Sequence, residues 1–424
     1  MKFAFFTNII SPHQMPLARA LVNLLGSGEY RYVYTEREEK ERTKLGWGNK
    51  GEDWCLHGDE NTAVLREADV LMSGVRAPNL FEKRAKDGKV TLYCSERWFK
   101  PPIGFLRVFV PSYFKMARRI VKLLNENENF YYLPMGIHAA RDMARICGLM
   151  NGDWKCLFRA PKLEFERKPG GRIWISEGVR ECGSEGVREC VGKMRMWGYF
   201  VEEGRGTRDE GRGMVSDSSE LRVGSLELNH GIHGIHGKKE CGSDGVGSDG
   251  VRECGNEGVK VLWVGRMLKL KRVDTIIKAV GECSKSKKIT LDIYGLGPEE
   301  AKLKKMVAKY GGVIKFYPPV PINEVRKLMR EHDVYVLSSN GYEGWGAVVS
   351  EALEEGMAVV GTYEAGSSAT ILPESNLFHA GDWRRLKELL EGDVERVGIG
   401  PWTAKSAAEF LTGLTRLTGL GNGY

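Results

Sequence analysis

The sequence of 424 residues contains no apolar run near the length of a membrane-spanning helix, which takes about 20 residues. Its first ten residues hold one short apolar run, Phe3–Phe6, followed by the polar residues Thr7 and Asn8. A secretory signal needs about 7–15 apolar residues in a row. We therefore expect a first strand here. We also expect a cytoplasmic protein that is soluble or bound peripherally to a membrane surface.

Cysteine occurs without a disulfide-like arrangement, because the nine cysteines are an odd number with no regular spacing. This pattern favours a reducing compartment. The net charge of +7 is small. It weakly favours an anionic partner and does not indicate nucleic acid. A hydrophobic content of 42% excludes a wholly disordered or fibrous chain.

The first part of the chain alternates strand-like and helix-like patterns and predicts an α/β domain over 1–202. A helix pattern opens at Pro16 and ends at Gly26. Such alternation indicates a parallel sheet, whose ligands bind at the carboxyl ends of the strands. The predicted strands of this domain are 3–8, 30–35, 68–74, 90–96 and, as its last strand, 194–202.

Residues 176–258 do not have the composition of a folded domain. The heptad SEGVREC occurs at 176–182 and 184–190, and SDGVREC recurs at 248–254. So much glycine opposes burial of a core, so we predict a repeat insertion at 176–193 and a low-complexity linker at 203–258. Repetition explains the cysteines and histidines of this tract better than metal binding, because no CxxC spacing occurs. They are Cys182, Cys190, Cys241, Cys254, His230, His233 and His236.

Residues 97–124 contain seven Lys or Arg residues, no Asp or Glu, and interleaved aromatic residues. Two interpretations remain open. The segment could be a face that meets an anionic membrane surface. It could equally be a half-buried helix over 113–124 with a solvated basic side.

The second part of the chain predicts another α/β domain over 259–395, followed by a helical segment over 396–424. Helix patterns separate its strands, as where Val273, Ile276, Ile277 and Val280 share a face. Two doubly wound domains would enclose a cleft suited to a nucleotide. The predicted strands are 259–265, 289–295, 313–317, 334–339 and 358–363.

Two loops of this domain follow predicted strands. The first runs from Gly265 to Arg272 and carries Arg266 and Lys271, cations of the kind that bind a diphosphate at a helix start. The second, Gly295-Leu296-Gly297-Pro298, has small residues that permit close approach to the backbone. It is not a dinucleotide fingerprint, because the third glycine is missing. Either loop alone could be a plain solvated turn.

The most informative stretch runs from Ser338 to Ala352, where a strand ends in a glycine-rich turn and a helix begins. Glu343 lies in the turn, and Glu351 lies eight residues later within the helix. Carboxylates accept hydrogen bonds from sugar hydroxyls, and free N–H groups at a helix start bind phosphate oxygens. An acidic helix face explains Glu354 and Glu355, but not a carboxylate inside a glycine turn. The turn also contains Gly344, Trp345 and Gly346.

These motifs, in this order and spacing, resemble glycosyltransferase family 4, with a loose similarity of the first domain to bacterial enzymes of surface-polysaccharide assembly. The resemblance covers 259 to about 380. It implies a GT-B fold of two facing Rossmann-like domains, with the helical segment at 396–424 packing back toward the first domain. It also implies retaining transfer from a nucleotide-sugar donor.

By the same resemblance, Arg266 and Lys271 would bind the donor diphosphate, and Glu343 would contact the sugar hydroxyls. Glu351 would hold the ribose, and the backbone at 344–346 would touch sugar and phosphate. Gly295, Gly297 and Pro298 would lie beside the base.

The chain departs from the family pattern in its first domain. The loop after the first strand lacks the usual glycine pair and carries His13, which either faces the acceptor or caps a helix. The first-domain histidine that contacts the donor sugar in the family cannot be placed, and Glu96 and Arg97 are possible substitutes. No Asp-x-Asp motif occurs, so we expect no metal and no cofactor besides the donor.

We therefore expect a retaining glycosyltransferase acting on a lipid-linked glycan acceptor in surface-polysaccharide synthesis. Two other hypotheses remain. A nucleotide-sugar 2-epimerase of the same fold would use the same diphosphate site but needs acid and base residues in the first domain. A catalytically silent module would bind the sugar nucleotide only.

Overall fold

The structure is a computed structural model that describes residues 1–36, 52–159, 161–176, 185–201 and 258–417. Most of the repeat tract, including six of the seven cysteines and histidines named above, lies outside these ranges. Within them, no helix has the length and apolar character needed to cross a membrane.

The first domain is built on a six-stranded parallel sheet in the order β3-β2-β1-β4-β5-β6. The central strand β1 is buried at all five positions, as expected for a sheet covered on both faces. The predicted strands at the sheet are confirmed. The strands are β1 Phe3–Thr7, β2 Tyr30–Tyr34, β3 Cys55–His57, β4 Val70–Ser73, β5 Val90–Ser95 and β6 Phe130–Pro134.

Helices cover the sheet, and a short antiparallel hairpin of two further strands lies beside it. The helices are α1 Met15–Leu25, α2 Ala63–Glu67, α3 Pro78–Lys86, α4 Pro111–Glu126, α5 Ile137–Met150, α6 Lys155–Phe158 and α7 Glu185–Gly192. The hairpin strands are β7 Leu163–Phe165 and β8 Ile173–Ile175. A 3-10 helix, Gly104–Phe109, precedes α4.

The end of the first domain differs from the sequence prediction in two ways. The second copy of the heptad forms α7 and buries Val187, Cys190 and Val191, so the expectation that the repeat cannot contribute to a core is wrong there. The glycine content was outweighed by apolar residues at helical spacing. The predicted strand over 194–202 is also wrong, since Met194 and Trp197 make only isolated bridges.

The second domain repeats the architecture with the parallel order β11-β10-β9-β12-β13-β14. Its strands confirm the predicted ones and add β14. They are β9 Val259–Val264, β10 Ile289–Tyr294, β11 Ile314–Tyr317, β12 Val334–Leu337, β13 Ala358–Thr362 and β14 Leu377–Phe378. The helices are α8 Val273–Cys283, α9 Glu300–Val307, α10 Ile322–Glu331, α11 Val348–Glu354, α12 Gly366–Ile371 and α13 Trp383–Glu391.

The last helix, α14 Ala404–Leu417, lies against α1 of the first domain. Its apolar side, which includes Ala407, Ala408 and Leu411, is fully buried. The backbone N–H of Ala404 donates to the carbonyl of Val201 at 3.1 Å. The chain therefore returns to the first domain after completing the second.

The start of α5 packs against the start of α12 in the second domain. Gly136, at φ 86°, allows this approach because a Cβ there would lie 3.0 Å from the carbonyl oxygen of Gly366. The N–H of Ile137 donates to Thr370 Oγ1 at 3.2 Å. His138 Nε2 lies 2.5 Å from the carbonyl oxygen of Tyr363. Burial, reinforced by the nearby Arg97 charge, lowers the pKa of His138 to about 4, so a neutral ring donates this bond.

Candidate active site between the two domains

The basic loop and the glycine-rich turn meet through the two residues predicted to act there. Lys271 Nζ lies 2.5 Å from Glu343 Oε2, and both side chains are largely buried. Ser338 Oγ donates to the carbonyl of Lys271 at 2.6 Å, and Asn340 N–H donates to the carbonyl of Leu270 at 2.9 Å. The loop after β9 is thus fixed to the loop after β12.

The glycine turn itself is held from the side of α12. Gly366 N–H donates to the carbonyl of Gly344, and Ser367 N–H donates to the carbonyl of Trp345. In the part of the chain that the structure describes, the N–H groups of Gly344, Trp345 and Gly346 have no hydrogen-bond partner. Three backbone donors therefore lie beside Glu343, an arrangement suited to an anionic oxygen.

The side chain of Trp345 points away from this turn into the core. It is 1% exposed and contacts Trp402 with ring centroids 5.8 Å apart. A Cβ on Gly198 would lie 2.4 Å from Trp345 Cζ2, so the chain of the first domain passes directly over the ring. The ring of Trp345 is therefore part of the core, and the predicted contact of its backbone with the donor stays a prediction.

Glu351 contacts the first domain, which the sequence did not indicate. His13, in the loop after β1, places Nδ1 at 3.2 Å from Glu351 Oε1. Burial raises the pKa of Glu351, but the His13 hydrogen bond and charge, with Arg326, outweigh burial and leave the pKa below its usual value. The carboxylate is therefore ionised at neutral pH. The predicted acceptor-side residue and the predicted ribose-side residue are neighbours.

Tyr335 on β12 lies within the electrostatic influence of both carboxylates and was missed by the sequence analysis. Its ring is 1% exposed, and its hydroxyl donates to the carbonyl of Val264 at 3.4 Å. Burial and then the charges of Glu343 and Glu351 raise its pKa. Both carboxylates therefore lie close enough to act on one phenol. Nothing distinguishes this tyrosine from an ordinary core residue in the VYVLSS pattern.

Arg266 and Arg272, two cations of the loop after β9, differ in their surroundings. Arg266 follows β9 and is exposed, and its side chain makes no hydrogen bond or ion pair among the described residues. Arg272, the last cation of the loop, is held by Asp274 through two bonds of 3.0 and 3.1 Å. That ion pair raises the pKa of Arg272. Arg266 is thus free to bind a ligand, whereas Arg272 is committed within the domain.

The glycine loop after β10 packs on the backbone of the basic loop. A Cβ on Gly295, at φ 146°, would lie 1.9 Å from the carbonyl oxygen of Gly265. A Cβ on Gly297 would lie 2.6 Å from the carbonyl oxygen of Met267, whose N–H donates to Leu296 at 2.8 Å. These glycines, with Pro298 after them, therefore shape the wall beside Arg266.

Two residues of the first domain approach the glycine turn. The carboxylate of Glu96 lies so close that a Cβ on Gly344 would be 2.2 Å from its Cδ. Lys100 Nζ lies 2.6 Å from Glu96 Oε2. Arg97 reaches toward the carbonyl of Gly341 at 3.5 Å and lies 3.4 Å from Asp142. The cleft is therefore lined by both domains.

The described residues contain no group of three or more His, Cys, Asp or Glu side chains arranged to hold a metal ion. A hollow of about 380 Å³ lies elsewhere in the second domain. It is lined by Tyr363, Glu374, His379 and Arg385, among others, and by none of the predicted site residues.

The chain is similar to known glycosyltransferases. Residues 254–392 match the family model of the glycosyl transferases group 1. This match extends from β9 to α13 of the second domain. A curated relative is the UDP-N-acetylglucosamine–peptide N-acetylglucosaminyltransferase GtfA subunit of Streptococcus pneumoniae. It is 27% identical over 126 residues, which are 27% of this chain and 25% of that protein. The chain thus spans about a quarter of the length of that relative.

Solved glycosyltransferase structures share the fold over the whole chain. Anabaena Alr3699/HepE in complex with UDP has a TM-score of 0.52 at 13% identity, covering 99% of each chain. The apo form of the lipopolysaccharide outer core galactosyltransferase WaaB has a TM-score of 0.52 at 11% identity, covering 98% of this chain and all of that one. The expected GT-B fold is confirmed.

Proposed function

We propose that this protein is a retaining, metal-independent glycosyltransferase that moves a sugar from a nucleotide-sugar donor to a hydroxyl of a lipid-linked glycan in surface-polysaccharide synthesis. The main support is the contact of Lys271 with Glu343 beside three unpaired backbone N–H groups. A cation, backbone donors and a carboxylate suit a phosphate joined directly to a sugar.

In this proposal, the donor diphosphate binds Arg266, Lys271 and the N–H groups at 344–346. The sugar hydroxyls bind Glu343, and the ribose hydroxyls bind Glu351. Because Lys271 and Glu343 are in contact, the phosphate and the sugar would lie side by side. HepE, which shares the fold, was solved with UDP, so a uridine nucleotide is the first donor to test.

The proposed reaction breaks the bond between the anomeric carbon and the diphosphate oxygen, and the diphosphate leaves with the electron pair. Fixed cations and amides oriented toward the departing oxygen stabilise its growing charge. That phosphate oxygen takes the proton of the acceptor hydroxyl as the new bond forms on the same face. No pair of flanking carboxylates of the glycosidase kind is then required.

The test starts from a thermal-shift screen of nucleotide sugars, since a ligand at 100 times its Kd stabilises the folded state by about 2.7 kcal/mol. NMR of the product made from the best donor then gives the anomeric configuration, which we expect to match that of the donor. An inverted product would refute retention. An epimerised donor formed without acceptor would show the epimerase instead.

Variants separate catalysis from silent binding. Glu343→Gln should abolish transfer while the chain still folds. Glu324→Gln, an exposed glutamate on α10, is the matched control and should keep wild-type activity. Transfer that is unchanged in Glu343→Gln would contradict the proposed role of this turn.

A further inference from the structure

The first domain carries a concentrated apolar surface that its fold does not cover. Seven of the twelve large apolar side chains that are strongly exposed in the described residues belong to it. Phe109, Phe158 and Trp154 are 65%, 62% and 61% exposed. We call the set the aromatic patch; it consists of Ile103, Leu106, Phe109, Val110, Phe114, Trp154 and Phe158.

Two separate elements join to form this patch. One is the 3-10 helix Gly104–Phe109 with the start of α4, and the other is the short helix α6. Phe105 contacts Phe158 with ring centroids 5.5 Å apart, and Phe158 contacts Trp154 at 6.2 Å. The half-buried helix expected over 113–124 exists within α4, and the membrane interpretation of the segment stays a prediction. Its contact with α6 was not visible in the sequence.

Cations lie next to members of the aromatic patch, or one helical turn away, in the sequence. Lys115 and Arg118 on α4 and Lys155 on α6 are exposed, and none has an ion pair in the described part of the chain. Arg119, also nearby, is neutralised by Glu82 at 2.6 Å. Asp153 is the acidic residue that adjoins Trp154 in the chain. The free charges around the patch are therefore mainly positive.

The patch also lies close to the candidate active site along the chain. Glu96 packs on Gly344, and a Cβ on Gly341 would lie 3.8 Å from Pro101 Cγ. Ile103, two residues after Pro101, is the first member of the patch and is 50% exposed. The segment that closes one side of the cleft thus continues directly into the exposed apolar surface.

We propose that the aromatic patch and its free cations dock this protein on an anionic phospholipid bilayer, with the cleft opening beside the membrane. Aromatic side chains suit the interface between headgroups and acyl chains, and exposed Lys and Arg attract anionic headgroups. The docking follows from the surface alone. It deepens the proposed function. Only the link between docking and a lipid-bound acceptor rests on that function.

Co-sedimentation of the full chain with vesicles tests this directly and does not depend on enzyme activity. We expect binding to phosphatidylcholine vesicles with about 30 mol % phosphatidylglycerol, and much weaker binding to pure phosphatidylcholine. Binding should fall as salt is raised to about 0.5 M, because salt screens the attraction between charges. Equal binding to both vesicle types, or none to either, would overturn the proposal.

Matched variants identify the surface. Phe109→Asp with Trp154→Asp should lower the vesicle partition coefficient at least about tenfold, since each removes a large apolar group and adds a charge. Lys115→Glu with Arg118→Glu should remove the preference for anionic vesicles. The controls are Leu24→Asp, another exposed apolar side chain, and Lys305→Glu with Lys315→Glu in the second domain.

Each variant is first checked for an unchanged thermal unfolding temperature, so that lost binding is not lost folding. Wild-type partitioning by the patch variants, or equal losses in the controls, would overturn the assignment. Sedimentation velocity without lipid tests whether the aromatic patch binds a second copy of the chain instead of a bilayer. A dimer that Phe109→Asp dissociates would show that the patch is a protein interface and would also overturn it. Transfer to a soluble acceptor by a non-docking variant would leave the proposed function intact.

Discussion

The two domains repeat one sheet, with six parallel strands in the same relative order, but their loops differ in chemistry. In the second domain, the loops after β9 and β12 bring Arg266, Lys271 and Glu343 to one edge. In the first domain, the corresponding edge presents His13 and Glu96 to the cleft. The match to the glycosyl transferases group 1 covers 254–392 and none of the first domain.

This difference teaches how the two halves divide the proposed task. A nucleotide diphosphate has a fixed shape and charge, so the half proposed to bind it is expected to consist of short motifs with strict spacing. An acceptor can vary, and the half that faces it needs no shared motif. The exposed aromatic patch belongs to that variable half. We expect changes in the second domain to affect donor chemistry and changes in the first to affect closure and location.

The largest effect should come from Lys271→Ala. Removing a fixed cation beside the leaving diphosphate should lower kcat/KM by about 10²–10³. Lys305→Ala, an exposed lysine on α9, is the control and should be neutral. Steady-state transfer assays check this. A loss below threefold in Lys271→Ala would mean that the two domains do not divide the task as described.

The next effect is on stability. Gly295→Ala places a Cβ against the carbonyl of Gly265 in a conformation that favours glycine. It should lower the free energy of unfolding by about 2–3 kcal/mol. Gly28→Ala, where a Cβ meets no atom within 4 Å, is the control. Urea unfolding measures both, and equal stability of the two variants would show that the loop contact tolerates a side chain.

A smaller effect is expected for Glu351→Gln, which removes the charged partner of the proposed ribose. Affinity for a nucleoside diphosphate should fall about tenfold, or 1.4 kcal/mol, by titration calorimetry. Glu355→Gln changes a neighbouring carboxylate that is paired with Arg326 and Arg330 instead. If Glu355→Gln weakens binding and Glu351→Gln does not, the ribose lies elsewhere.

The smallest effect concerns the contact between the domains. The pKa of Glu351 is lowered in the folded chain, so its stabilisation is present above the ordinary glutamate pKa and is lost as pH falls through the lowered one. His13→Gln should reduce the difference in unfolding free energy between about pH 6 and pH 3 by under about 1 kcal/mol. The control is His57→Gln, and an identical pH profile for wild type and His13→Gln would refute the contact.

The sequence predicted most of the fold, because both sheets consist of apolar runs that end in polar or small residues. It also predicted that Lys271 and Glu343 come together, since a carboxylate inside a glycine turn has few structural explanations, and their roles stay predictions. It could not predict the contact of His13 with Glu351 or the approach of Glu96 to Gly344. Both contacts depend on how two domains that are far apart in the sequence pack against each other. The helix α7 was missed because its repeat looked like low complexity.

The most direct test of the central claim is a crystal structure of the full chain with a nucleotide sugar. We predict that the diphosphate contacts Arg266, Lys271 and the N–H groups at 344–346, with the ribose on Glu351 and the sugar on Glu343. A nucleotide bound in the separate hollow beside Tyr363 and His379, with the cleft unused, would contradict the account.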